Sequence, residues 1–363
     1  MTTPRSHMHS PYMEFAKLRS GARFGLASSG IENFPISELP FSREDLQLTS
    51  TSPYGHPPLL ERLARHCGVA QECVVQAMGT SFANHLALAA TADPGDEILV
   101  EDPTYELITS TAQFLGLQTK IFSRRFENGY HLDPAEVAKQ ISPRTRLMVI
   151  CNLHNPSSAL EDDGSLRALV KIAQERGIRL LVDEVYLEAA FGLGQRSAFH
   201  LAPETVVITN SLTKAYGLSG LRCGWILAEP RLAERMWRLN DLFAATAAHP
   251  AECLSVVALD HLDLPRSCAQ ELLERNRPLL QQFLQSRDDL EFVSTRYGTT
   301  AFPRLKNGSV ERLFELTSKY ETSVVPGRFF GAPQHFRIGI GGSTEMVEEG
   351  LCRLGQALDE LRG

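Results

Sequence analysis

Lys214 is the residue whose surroundings offer the most chemistry. It follows the β-branched run Thr205-Val206-Val207-Ile208, which predicts a strand. Ser211 and Thr213 come just before it, and the glycine-rich Gly217-Leu218-Ser219-Gly220 and Arg222 just after. A second short strand is predicted over Gly224-Trp225-Ile226-Leu227-Ala228. A lysine at the end of a buried strand loses hydration, which penalises its charged form and lowers its pKa. The neutral amine is a nucleophile that forms Schiff bases with carbonyls. Taken alone, Lys214 reads more simply as a lysine snorkelling from a strand end.

Other residues suit the same kind of site. Gly79-Thr80-Ser81 stands before the apolar helical run Phe82–Ala92. Free N–H groups at a helix start, with two hydroxyls, bind anions; either hydroxyl would also serve as a plain N-cap. Tyr105 follows the strand-like Glu97-Ile98-Leu99-Val100, at the strand end where open α/β sheets bind ligands, or it is a core aromatic. Asp183 ends the run Ile178–Val182, and a buried aspartate needs a cationic partner; an N-cap or a salt bridge is the plainer role. Tyr186, three residues on, reads otherwise as core packing, and Tyr54 as a turn residue. Arg337 alternates with apolar neighbours in Phe336–Ile340, so a half-buried strand is expected, with a surface charge as the commoner fate.

The elements that must carry these residues alternate. Leu147–Cys151 predicts a buried strand. Leu166, Leu169, Val170 and Ala173 mark a helix over 165–176 that stops at Gly177. Strand, helix and strand at this spacing imply a parallel sheet. A helix led by Leu59-Leu60, Leu63-Ala64 and Cys67 ends at Gly68. After Pro230, long helices are expected over 232–243, 250–262 and 270–288, then mixed short strands and helices from about Glu291. Residues 1–50, including Phe24–Ile31, read as extended chain and turns.

Length and composition bound the class. The chain's 363 residues suffice for two domains. Hydrophobic content of 43% and charged content of 22% are those of a soluble globular protein. A net charge of −7 argues against a nucleic-acid partner. The 7 cysteines are an odd number without a Cys-x-x-Cys pair, which fits neither a disulfide framework nor a zinc site and suits a reducing, cytoplasmic compartment. The polar start, Met1–Ser10, lacks the apolar core of a signal peptide, and no apolar run has membrane-spanning length, so no membrane partner is expected. His7 and His9 read as parts of a frayed tail. No internal repeat stands out.

From Ser211 to Gly224 the order Ser-x-Thr-Lys-x-x-Gly-Leu-x-Gly-x-Arg-x-Gly resembles, without a gap, the lysine segment of the class I/II pyridoxal-phosphate (PLP) aminotransferases. These are aspartate aminotransferase-like enzymes of fold type I. The likeness runs from about Ser52 to Ile340 and orders the other candidates. It implies an α/β fold: a large PLP-binding domain (48–245) with a mainly parallel sheet flanked by helices, and a smaller α+β domain (1–47 and 246–363). By resemblance, Lys214 holds PLP as a Schiff base, Asp183 pairs with the pyridine nitrogen, and Asn155 and Tyr186 bond the phenolic oxygen. Tyr105 stacks on the ring. Gly79, Thr80, Ser81, Ser211, Thr213 and Arg222 hold the phosphate, joined by Tyr54 from the neighbouring subunit of a homodimer. Arg337 forks onto the substrate α-carboxylate, a geometry lysine cannot make; Gly30, next to Ile31, and Asn155 also face the substrate. The family's Asn-Pro-Thr-Gly reads Asn155-Pro156-Ser157-Ser158 here, so a different turn is expected, and His154 is read as a loop residue.

The implied reaction moves an amino group between an L-amino acid and a 2-oxo acid. The same residues serve β-elimination, as in carbon–sulfur lyases of this fold. A PLP-binding regulator without turnover is the third reading, and no DNA-binding extension or basic tail supports it. No convincing second arginine for an acidic side chain stands out; Arg23 and His56 are candidates by proximity to the motifs.

Overall fold

The computed structural model describes residues 8–49, 52–194 and 197–363, so His7 lies outside the described residues. Helix α1 (Pro11–Leu18) and the short strand β1 (Phe24–Gly25) come first. Then follow α2 (Pro57–Cys67), β2 (Val74–Met78), α3 (Gly79–Thr91), β3 (Glu97–Asp102), α4 (Glu106–Phe114), β4 (Gln118–Ser123), α5 (Pro134–Gln140), β5 (Thr145–Cys151), α6 (Asp163–Arg176), β6 (Arg179–Asp183), β7 (Val206–Ser211), the one-turn α7 (Thr213–Tyr216) and β8 (Cys223–Leu227). Beyond them lie α8 (Pro230–Asn240), α9 (His249–Asp260), α10 (Asp263–Gln285), β9 (Leu290–Glu291), β10 (Thr300–Ala301), β11 (Arg304–Leu305), α11 (Val310–Lys319), β12 (Thr322–Ser323), β13 (Val325–Pro326), β14 (Phe336–Gly339) and α12 (Thr344–Arg362).

One 7-stranded sheet runs in the order β2-β8-β7-β6-β5-β3-β4. Strands β3 to β7 pair in parallel; β8 runs against β2 and β7. Its central strands are near-continuous Val, Ile and Leu because helices cover both faces. Strands β2, β3, β5, β6 and β7 point the same way, so Met78, Asp102, Cys151, Asp183 and Ser211 share one edge. Gly79, Tyr105, Asn155, Tyr186 and Lys214 follow those ends. A separate core, with Leu273, Leu313, Phe336, Ile338 and Leu354, fills the space around the three-stranded β10-β14-β13 sheet. Ala258 and Leu262 pack with the large-sheet core, which therefore extends beyond residue 245.

Three local findings differ from expectation. Residues 11–18 are helical, not extended: Ser10 caps the Met13 N–H and Pro11 opens the first turn, a start signal outweighed by the lack of long periodicity. Strand β7 runs three residues past Ile208, because Thr209, Asn210 and Ser211 continue its pairing with β8 and are buried. Ser158 has φ +63°, a conformation that favours glycine. The serine holds it with its N–H on the His154 carbonyl at 2.7 Å and its hydroxyl on the Thr300 carbonyl at 2.9 Å. Ser158 thus holds a left-handed conformation without glycine's freedom.

Near the ends of β3 and β5, Arg124 is buried between Glu101 (2.8 Å) and Glu161, and also donates to the Cys151 carbonyl at 3.3 Å. Burial pushes the Glu101 carboxyl up to about 7, against the pull of Arg124. Removing the cation would leave both acids uncompensated. Arg124→Met is expected to cost about 3–5 kcal/mol, read as a lower urea midpoint at unchanged slope. A loss below about 1 kcal/mol would contradict this account.

Candidate active site

The site lies at the carboxyl edge of the sheet. Helix α3 starts directly at the end of β2, and no side chain caps it. Gly79 has φ +75°, and a Cβ there would stand 2.1 Å from Arg222 Nη2, so glycine lets the guanidinium close over the helix start. Arg222 itself has φ +50° and donates to the Met78 carbonyl at 3.2 Å. The Thr80 hydroxyl donates to Ser211 Oγ (2.8 Å), which also accepts from the Thr213 N–H (3.4 Å). Uncapped N–H groups, hydroxyls and a guanidinium form a cradle for a phosphate dianion.

Asp183 is 3% exposed at the end of β6. Its Oδ2 accepts from Asn84 Nδ2 (2.8 Å) and its Oδ1 from the Val185 N–H (3.1 Å). Asn84 is fixed in turn by the Thr209 hydroxyl, which donates to its Oδ1 at 2.6 Å. Burial pushes the Asp183 carboxyl up to about 6, while Asn84, the Val185 N–H and the Lys214 charge draw it back. Both direct partners are neutral, so the carboxylate is poised for a cationic N–H.

Lys214 donates from Nζ to Ser29 Oγ at 3.1 Å, and the Tyr186 hydroxyl donates to the same oxygen at 2.8 Å. Burial lowers the pKa of the lysine amine; Arg337 and Arg222 reinforce this, whereas Tyr12 and Asp183 oppose it. Gly30 crosses close above: a Cβ there would lie 3.2 Å from Lys214 Cδ, and the Ile31 N–H donates to the Lys214 carbonyl at 3.0 Å. On β14, Arg337 is 0% exposed rather than half-buried. It donates through Nη1 to Asn155 Oδ1 (2.9 Å) and through Nη2 to Tyr12 OH (2.9 Å) and the Ala27 carbonyl (3.2 Å).

These groups surround a cavity of about 240 Å³, lined among others by Thr80, Ser81, Tyr105, Asn155, Asp183, Tyr186, Ser211, Thr213, Lys214 and Arg222. Gly79, Gly30 and Arg337 stand directly behind that lining. Tyr54 does not join it within this chain. Its ring lies against Trp237 (5.9 Å) and under the Arg238 guanidinium (4.7 Å), with its hydroxyl on Asp241 (3.2 Å). Arg23 sits over the Phe24 ring and His56 against His249, so neither reaches the cavity. His154 is more than a loop residue: it is buried, with Nδ1 bonded to Ser157 Oγ (2.6 Å) and Nε2 to the Pro103 carbonyl (2.8 Å), tying two active-site loops together.

Sequence reasoning missed Tyr12, Ser29 and Asn84. Asn84 had a signal, being a polar residue inside the apolar run of α3. For Tyr12 the Ser10-Pro11 start signals a helix but not its place at the cavity. Ser29 had none, since its role arises from chain crossing.

A buried lysine of lowered pKa, a buried acid and an uncapped helix start with hydroxyls and a guanidinium thus surround one cavity, which could hold an anionic ligand bearing a cationic N–H. The model for aminotransferase class I and II matches residues 42–354. The chain is 29% identical to a capreomycidine synthase of Streptomyces vinaceus, over 93% of this chain and 90% of that one. It is 27% identical to an arginine–pyruvate transaminase of Pseudomonas aeruginosa, over 84% and 80%. A crystal structure of a PLP-dependent aminotransferase from Streptococcus suis superposes with a TM-score of 0.89 at 25% identity, covering 96% of this chain and 97% of that one. The chain belongs to the class I and II aminotransferases, and its cofactor is PLP. The residues present fit that group: the uncapped α3 start suits its phosphate, and Asp183, held only by neutral donors, suits its ring N–H.

Without cofactor, Asp183 binds a proton more tightly folded than unfolded, so its contribution to stability is full below about pH 4 and lost as pH rises through about 6. At ~1.4 kcal/mol per tenfold change in proton affinity, that is roughly 3 kcal/mol. Urea titrations of cofactor-free wild type and Asp183→Asn between pH 4 and 7 should therefore diverge, with only the wild type showing this component. Parallel curves would refute it.

Proposed function

We propose that this aminotransferase takes its amino group from amino acids with neutral side chains and passes it to a 2-oxo acid. When bound, PLP supplies the electron sink for a carbanion at the substrate Cα. Lys214 Nζ would take the Cα proton as general base and hand it to the cofactor's C4′ carbon as general acid. Asp183 holds the ring N–H protonated. The Asn155 amide and the Tyr186 hydroxyl bond the phenolic oxygen, and Tyr105 covers the ring. Gly79, Thr80, Ser81, Ser211, Thr213 and Arg222 hold the phosphate. Arg337 takes the α-carboxylate, with Asn155 and the Gly30 backbone beside it. The observation that carries this reading is the cavity shared by a lysine of lowered pKa and a carboxylate with only neutral partners.

The donor preference rests on the cavity wall. Tyr12, Met13, Ala16 and Tyr105 line it, and among the described residues none of the cations lining it or bonded to the lining is left over for an acidic side chain: Arg124 is held by Glu101 and Glu161, and Lys214, Arg222 and Arg337 have the roles above. The same lysine and acid also suit β-elimination. Single-turnover incubation of the loaded enzyme with a panel of L-amino acids tests both. Neutral donors should react at least about tenfold faster than aspartate and yield their 2-oxo acids with an aminated cofactor; release of pyruvate and ammonia would favour the lyase. Lys214→Ala should lose at least about a thousandfold of the rate while remaining folded.

A homodimer completes the proposal. Met78, Leu242 and Phe243 are large apolar side chains, 41%, 77% and 54% exposed, and Met78 immediately precedes Gly79 of the phosphate cradle. A second copy covering them would let each Tyr54 complete the other cradle. Leu242→Glu with Phe243→Glu should yield monomers in sedimentation and weaken PLP retention; an unchanged sedimentation coefficient would rule this surface out. We place the changeover between the two domains in α10, because Ala258 and Leu262 pack with the large core and Leu273 with the other. The 7 free cysteines favour the cytoplasm. Among the described residues no helix is long and apolar enough to cross a membrane.

A further inference from the structure

Tyr12 occupies a position that the reaction leaves unexplained. It comes from α1, lines the cavity, and its hydroxyl oxygen accepts from Arg337 Nη2 at 2.9 Å. Its phenolic proton is left to point elsewhere. Arg337 has few donors to spare. Nη1 serves Asn155, both Nη2 hydrogens serve Tyr12 and Ala27, and the buried Nε has no hydrogen-bond partner among the described residues. Nε–H and the second Nη1 hydrogen therefore remain for an arriving carboxylate, and the neutral phenol bonded to the same guanidinium is a further ready donor.

We propose that Tyr12 is the second hydrogen-bonding partner of the substrate α-carboxylate, donating its phenolic proton to an oxygen that Arg337 holds. The inference rests on the reading of Arg337 as the carboxylate anchor. The position is well braced. Ser10, which caps α1, bonds to Glu106; the Tyr12 ring meets Tyr105 edge-on at 5.5 Å; and Phe15, one turn along, packs at 4.9 Å against Phe329. The hydroxyl is therefore presented on a fixed helix and costs little ordering when a ligand binds.

The charges around it add a pH dependence. Arg337, Lys214 and Glu106 face Tyr12, with the phenols of Tyr105 and Tyr186 nearby. Burial alone would raise the Tyr12 pKa, but Arg337 and Lys214 outweigh burial and Glu106 and hold it below 10.0. Once ionised, Tyr12 cannot donate and competes with the carboxylate for Arg337. The ligand thus has a donor at neutral pH and a rival at alkaline pH.

Equilibrium titrations of the PLP-loaded enzyme decide the matter, using two amines read by cofactor absorbance. 2-Methylalanine carries the α-carboxylate but has no Cα–H, so it reports binding without turnover; 2-aminopropane lacks the carboxylate. Tyr12→Phe should weaken 2-methylalanine about ten- to a hundredfold at pH 7, the worth of a hydrogen bond to a charged group, and leave 2-aminopropane within about twofold. The gap between wild type and Tyr12→Phe should narrow as pH rises toward 10. Equal weakening of both amines, no weakening, or a gap independent of pH would overturn the proposal. If Arg337→Lys leaves 2-methylalanine affinity intact, the anchor reading itself has failed, which is a separate outcome.

Discussion

The buried carboxylate of Asp183 is the constraint around which this molecule is built. An ionised group so deep in a sheet is costly unless its lone pairs are satisfied and its charge is met. The fold supplies the first through Asn84 and the Val185 N–H, and positions Asn84 through Thr209 on the neighbouring strand. The second is not supplied by either direct partner, both of which are neutral. Strand β6, helix α3 and strand β7 therefore have to meet in one register, and the polar side chains that join them are buried at the edge of a largely apolar core.

Parallel strands make that convergence possible. Strand ends distant in sequence arrive at one edge, each followed by a loop free to present a side chain. Close backbone approach then tightens the edge. At Gly217, with φ +66°, a Cβ would fall 2.1 Å from the Glu32 carbonyl, and at Gly224 one would fall 2.6 Å from the Gly79 backbone. These contacts bring the segment 29–34 down over Lys214 and hold the lysine turn against the phosphate cradle. The amine is kept dry by main chain as much as by side chains.

The N-terminal helix ties an aromatic cluster of its own to the large sheet. Through Phe15 it joins the aromatic cluster with Phe314 and Phe329, and through Ser10 and Met13 it touches Glu106 and Tyr105 at the large sheet. Tyr12 on the same helix reaches the cavity. Part of the cavity wall is thus set by an element far from the lysine motif in sequence.

The sequence by itself determined the strand–helix alternation, the parallel sheet and the lysine segment. Each of these is local: a short apolar run, a cap, or a motif whose residues are neighbours along the chain. Even there, boundaries shifted where polar residues kept pairing, as at the end of β7, and the turn at Ser158 kept its left-handed form because hydrogen bonds to Thr300 and His154 replaced glycine's freedom. Only the tertiary structure decided that Ser29 receives both Lys214 and Tyr186, that Asn84 supports Asp183, that Arg337 is fully buried, and that Tyr12 rather than Arg23 or His56 faces the cavity. These pairings join residues more than 90 positions apart, and burial or partnership at that separation depends on packing, which no local pattern encodes.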